Sequence, residues 1–158
     1  MRNDHAAVSH TGCPGSQMQH IQHSQEIPRS TQAQAESRLE QWPCQIKLVP
    51  TNAPYFDGAK LLIAADCSAF AYPRFHSVYG RGKVVLICCM ETDFDVMTKL
   101  SKILKHNDIK SVTVVKTDKP CCADLTDAVR QAIKSSRLPL PLQVATVFVQ
   151  GEDVGEDI

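Results

Sequence analysis

Lys83-Val84-Val85-Leu86-Ile87-Cys88-Cys89 opens the stretch whose reading decides the fold, and Ser111-Val112-Thr113-Val114-Val115-Lys116, followed by Pro120-Cys121-Cys122, closes it. Both apolar runs are continuous and rich in β-branched residues, as in strands buried on both faces. The segment between them has helical spacing. Strand, helix and strand make a crossover unit, which builds a parallel sheet and turns right-handed. Parallel pairing puts the C-terminal ends of the strands on one edge, where open sheets of this kind bind ligands. A third run, Leu61-Leu62-Ile63-Ala64-Ala65, ends in the same manner on Asp66-Cys67. Cysteines far apart in sequence are thereby expected to meet at the edge where such folds do chemistry.

Working outward, the same logic organises the rest of the chain. Residues 45–49 are expected to form a first strand with Cys44 entering it, and residues 144–149 a closing one. Between 94 and 106, Val96, Met97, Leu100, Ile103 and Leu104 recur at the 3,4 spacing of one buried helix face. Asp93 and Asp95 favour the start of that helix, and Lys102, Lys105 and His106 its end. A second helix over 123–136 buries Leu125, Ala128, Val129, Ala132 and Ile133. The crossover after Cys67 holds only short helical turns, because Pro73 interrupts anything longer. The expected fold is α/β: three layers, with a mostly parallel five-stranded sheet and crossover helices.

The chain has 158 residues, 43% hydrophobic and 22% charged, with zero formal net charge. That balance suits one soluble domain plus a tail, and leaves no electrostatic footprint for nucleic acid. No apolar run approaches the roughly 20 residues of a membrane helix, and a secretory leader is not apparent. A cytosolic location is therefore expected, where seven cysteines point to metal or thiol chemistry and not to a disulfide framework.

Three parts are expected: a disordered His/Gln/Ser-rich tail over 1–36, the α/β domain over 37–151, and an acidic, frayed end over 152–158. Cys13 in the tail has His5, His10, His20 and His23 around it, which makes a metal arm conceivable. The plainer reading is a solvated tail with a lone thiol. Trp42 is expected to pack at the lip of the domain, and Tyr55 and Phe56 to cover the core. His76 reads as a surface or lip histidine before it reads as a ligand.

Cys67, Cys89, Cys121 and Cys122 form the candidate site. Neighbouring side chains of a strand point to opposite faces, so Cys88 and Cys89 cannot both face the crevice while the strand continues. Cys88 continues it and is expected to pack as a small apolar group. Cys121 and Cys122 follow Pro120 at the mouth of a helix, where the helix N-terminus and Lys119 would lower their pKa values. Four sulfurs match the ligand number of an iron–sulfur cluster or a structural zinc. Spacing alone is weak evidence, since no pair is a C-x-x-C. Two alternatives stay open: thiol redox or sulfur-handling chemistry at Cys121-Cys122, and a non-catalytic binding module whose cysteines hold zinc or are simply buried in strands. Asp66 could support the site or merely cap a turn, and Asp93 reads as a helix-start residue rather than an acid catalyst. No glycine-rich phosphate loop follows any strand, which disfavours nucleotide binding.

Gly12-Cys13-Pro14-Gly15-Ser16, Gln41-Trp42-Pro43, Leu48-Val49-Pro50 and Ala53-Pro54-Tyr55-Phe56 resemble segments of iron–sulfur proteins from anaerobic bacteria and archaea. In that family a ferredoxin-type module precedes a domain like this one. Ala64-Ala65-Asp66-Cys67, the run 107–115 and Pro120-Cys121-Cys122 extend the resemblance to about residues 11–150. It implies a 4Fe-4S cluster on the four cysteines, electron transfer, and a ferredoxin or other redox protein as partner. The chain departs from the pattern by lacking the clustered C-x-x-C repeats of the ferredoxin module. It also has Cys88-Cys89-Met90 where the family shows Gly-Cys-Pro, and Ala123-Asp124 where it has a glycine.

Overall fold

A computed structural model describes residues 18–20, 37–93 and 95–149. Its centre is a four-stranded, all-parallel sheet of β3 (Ala59–Ala65), β4 (Val84–Cys88), β5 (Ile109–Thr117) and β6 (Leu142–Val147). Two short strands precede these, β1 (Gln19–His20) and β2 (Gln41–Trp42), which pair antiparallel with each other. The large sheet has the order β4-β3-β5-β6. From β3 the chain moves to one side, and from β5 to the other, so the topological switch lies between the C-terminal ends of β3 and β5.

Strand β3 lies between β4 and β5 and is covered on both faces, which is why it reads as an unbroken apolar run. Leu61, Ile63 and Ala65 pack on the face that carries α2 (Val96–His106) and α3 (Ala123–Ser136). Leu62 and Ala64 pack on the opposite face, against Tyr72, Phe75 and Tyr79. Helix α2 buries Val96, Leu100, Ser101, Ile103 and Leu104, whereas Met97, expected on that face, is 38% exposed. Helix α3 spans the expected range and buries Leu125, Thr126, Ala128, Val129 and Ala132. The crossover from β3 to β4 is a single short turn, α1 (Ser68–Ala71), then one π-helical turn at His76–Gly80, with Pro73 between them.

The sheet has four strands where five were expected. Residues 45–49 do not form the first strand. Val49 N–H donates to the carbonyl of Gln45, and the buried residues are Ile46 and Val49, three apart. That is the spacing of a helical turn, and Leu48 is 51% exposed. The segment nevertheless meets the edge of β4 through one parallel bridge, Gln45 to Ile87. Ile87 N–H donates to Cys44 O at 2.8 Å, and Ile46 N–H to Ile87 O at 2.9 Å. The side chain of Gln41, fully buried, completes the cover: its amide nitrogen donates to Val85 O at 2.5 Å and its oxygen accepts from Val85 N–H at 3.4 Å. Backbone groups of an edge strand require partners when buried, and this segment supplies them without becoming a strand.

Of the expected tail over 1–36, only residues 18–20 are described, and Cys13, His5, His10 and His23 lie outside the described residues, as do 152–158. No helix among the described residues is long and apolar enough to cross a membrane.

Candidate functional site at the C-terminal edge of the sheet

The ends of three strands build the site. β3 delivers Asp66 and Cys67, β4 ends on Cys88 and is followed by Cys89 and Met90, and β5 ends on Thr117 shortly before Pro120-Cys121-Cys122. All four expected ligands, Cys67, Cys89, Cys121 and Cys122, line one shallow pocket, with Cys88 as a fifth sulfur. Its free space is about 250 Å³, part of it open to solvent. The register explains the convergence: Ala65 of β3 lies opposite Cys88 of β4, and Asp66 N–H donates to Cys88 O at 3.0 Å. Three loops therefore leave the sheet at nearly the same level.

The cysteines divide by exposure. Cys67 and Cys121 stand exposed at the rim, Cys89 is half-buried, and Cys88 and Cys122 are buried, at 1% and 5%. Cys88 is the last residue of β4 and belongs to the core between the sheet and α2 and α3, as expected of the residue that continues the strand. Burial pushes its thiol up to about 12, with nearby Asp93 adding to the effect.

Two polar residues position the cysteines, one through sulfur and one through the backbone. Thr117, 1% exposed, has its hydroxyl 3.1 Å from Cys122 Sγ and 3.8 Å from Cys67 Sγ, so one side chain touches sulfurs from two loops. Asp93 turns back from the start of α2 and accepts a hydrogen bond from Cys89 N–H at 2.8 Å. Its other oxygen faces the ammonium of Lys47 at 3.1 Å, an ion pair without hydrogen-bond alignment. Asp93 thus anchors the loop carrying Cys89 and does not cap the helix.

The charge pattern differs from the expectation for Cys121 and Cys122. Lys119 pairs with its neighbour Asp118 at 3.3 Å. Cys121 is raised above the ordinary thiol value, chiefly because Cys122, 4.0 Å away sulfur to sulfur, disfavours a second negative charge. Cys122 is lowered: burial raises it, but hydrogen bonds from the hydroxyl and backbone amide of Thr117, with contacts from Cys121 and Cys67, outweigh burial. Cys67 is raised by burial first, against the lowering bond to Thr117. Cys122 therefore carries negative charge more readily than Cys67 or Cys121, and the cause is a threonine rather than a lysine.

Among the described residues, no three His, Cys, Asp or Glu side chains converge closely enough to hold one metal ion. The four thiols line the same pocket. Cys44 and His76 are outside the pocket lining; Cys44 is raised by burial and spends its carbonyl on β4, while His76 Nδ1 accepts from Arg38 N–H at 3.4 Å. Sequence reading missed Thr117. Its signal was present, a polar residue closing an apolar strand five positions before a cysteine, but nothing in the sequence says that its hydroxyl turns toward sulfur.

A family model described as Rossmann-like domain matches residues 53–157. The chain belongs to that family. Within a Rossmann-like sheet the edge beyond the strand C-termini, at the switch between β3 and β5, is where ligands are held, and here that edge carries cysteines. This Rossmann-like chain is also 30% identical, over 94 residues, to an uncharacterized protein of Archaeoglobus fulgidus, covering 60% of this chain and 67% of that one. No solved structure matches it.

Proposed function

We propose that this Rossmann-like domain holds an iron–sulfur cluster on Cys67, Cys89, Cys121 and Cys122 and relays electrons to a ferredoxin or another redox protein. The observation that carries this reading is the gathering of four cysteines, from three separate loops, around one pocket at the switch point of the sheet. The donor set fits: thiolates are the usual ligands of such clusters. Zinc is the alternative occupant of the same four thiolates. A lone zinc sits about 2.3 Å from each sulfur and draws four of them nearly into contact, whereas a cluster offers a separate iron to each thiolate.

A cluster bound there would supply one-electron chemistry. The chain's residues do the remainder. Asp93 fixes the backbone of Cys89, Thr117 fixes Cys122 relative to Cys67, and the buried Cys88 and Leu125 wall off the inner side of the pocket. Cys67 and Cys121 remain exposed, so the outer side is open to a partner. The test is anaerobic purification, followed by loading with ferrous iron and sulfide. Stoichiometric iron and acid-labile sulfide with visible charge-transfer absorbance are expected, and protein that takes up neither refutes the proposal.

One observation favours a second reading. The adjacent sulfurs of Cys121 and Cys122 lie 4.0 Å apart, and Cys122 is the more readily ionised. A dithiol of this kind closes to a disulfide by giving two electrons and two protons to an oxidant, such as another disulfide. In that case the protein takes up no iron, and mass spectrometry finds a reversible loss of two hydrogens confined to the peptide carrying both cysteines.

A further inference from the structure

We propose that Thr117 is a positioning residue of the cysteine site, whose hydroxyl hydrogen is given to the sulfur of Cys122 when the site is loaded, making that ligand a weaker electron donor than Cys67. The inference rests on the cluster reading above and adds to it a residue that sets the electron affinity of the site.

The geometry is asymmetric. The Thr117 oxygen is 3.1 Å from Cys122 Sγ and 3.8 Å from Cys67 Sγ. A hydroxyl has one hydrogen to give. While Cys67 remains a thiol, it can donate to the threonine oxygen as the threonine donates to Cys122. Once both sulfurs are thiolates, neither has a hydrogen, and the hydroxyl serves the nearer one. Thr117 is 1% exposed, so bulk water does not compete for that bond. Its backbone is fixed in register opposite Val147 on β6, which keeps the hydroxyl from following a moving loop. The other buried hydroxyl nearby, that of Ser68, is committed to Ala65 O at 2.6 Å. Hydrogen bonds to ligand sulfurs draw off negative charge and are among the factors that set cluster potentials.

The experiment compares full-length wild type, Thr117→Ser and Thr117→Val, each loaded anaerobically with ferrous iron and sulfide. Mediated titration with dithionite, which supplies one electron per cluster, reads the reduction potential. Thr117→Ser keeps the hydroxyl and is expected to stay at the wild-type potential even if losing the methyl lowers its melting temperature. Thr117→Val keeps the shape and loses the hydrogen. Its equilibrium should move about tenfold toward the oxidised form, which for one electron is about 59 mV. If valine does not fold, Thr117→Ala reports the same shift. A valine variant that loads poorly while serine loads fully also supports the role. Loaded valine or alanine protein with the wild-type potential overturns the inference and leaves the cluster reading standing. Wild-type protein that takes up no iron and sulfide refutes the cluster reading and this inference with it.

Discussion

Asp93 holds Cys89 by its backbone and not by its sulfur: the carboxylate oxygen lies 2.8 Å from Cys89 N. The carboxylate side chain is 2% exposed, and its ion-pair partner Lys47 is 58% exposed. A buried acceptor four residues along the chain thus closes the turn after β4 and leaves the cysteine side chain free to face the pocket. Asp93→Ala strands a buried N–H and should cost about 2 kcal/mol. Asp93→Asn keeps an oxygen for that N–H and should cost less. Urea unfolding of the three proteins measures this, and equal losses for Ala and Asn would show that the bond to Cys89 contributes nothing.

The neighbouring cysteines of β4 should separate cleanly. Cys88→Ala leaves a small cavity in the core and should cost about 1 kcal/mol while iron and sulfide content stays unchanged. Cys89→Ala, at a half-buried position, should leave the unloaded protein's stability near wild type and abolish retention of the cluster. Iron loss in Cys88→Ala instead would make the buried sulfur the ligand.

Alkaline pH should weaken the fold through Cys88. Its thiol is pushed from 9.0 to about 12 in the folded protein. Below pH 9 both folded and unfolded chains keep the proton, and the contribution is complete. Above it the unfolded chain ionises first, so stability falls as pH rises toward 12, by at most about 1.4 kcal/mol per unit from this one group. Tyr55, pushed from 10.0 to about 12 by burial, acts in the same direction at the upper end. Unfolding of the metal-free protein across this range should therefore be less steep in Cys88→Ala, and an unchanged slope would remove Cys88 as the cause.

Thiol protection should be collective. In metal-free protein an alkylating reagent should modify the exposed Cys67 and Cys121 readily and leave Cys88 untouched. In loaded protein Cys67, Cys89, Cys121 and Cys122 should be protected together, since losing one ligand opens the site. Reversible protection confined to Cys121 and Cys122, read by mass spectrometry, would favour the dithiol.

Continuous β-branched runs at 61–65, 84–87 and 111–116 could lie only in strands covered on both faces, because no amphipathic element buries every consecutive side chain. With helical periods between them, the parallel sheet and its cysteine-bearing edge follow from the sequence alone. The helix over 123–136 and the burial of Cys88 were legible for the same reason: local periodicity dictates which side must leave water.

What the sequence left undecided depends on partners distant along the chain. Residues 45–49 carry the composition of a strand, yet the edge of β4 is already served by the Gln41 side chain, Cys44 O and Ile46 N–H, so a turn satisfies the backbone as well as a ladder would. Lys119 was near enough in sequence to govern Cys121 and Cys122, but in space it pairs with Asp118. The charge on Cys122 is governed instead by Thr117, and that of Cys88 by burial beneath α2 and α3. Hydrogen bonds and desolvation act over a few ångströms. Only the tertiary structure sets those distances, and it alone determined that four thiols from three loops line one pocket.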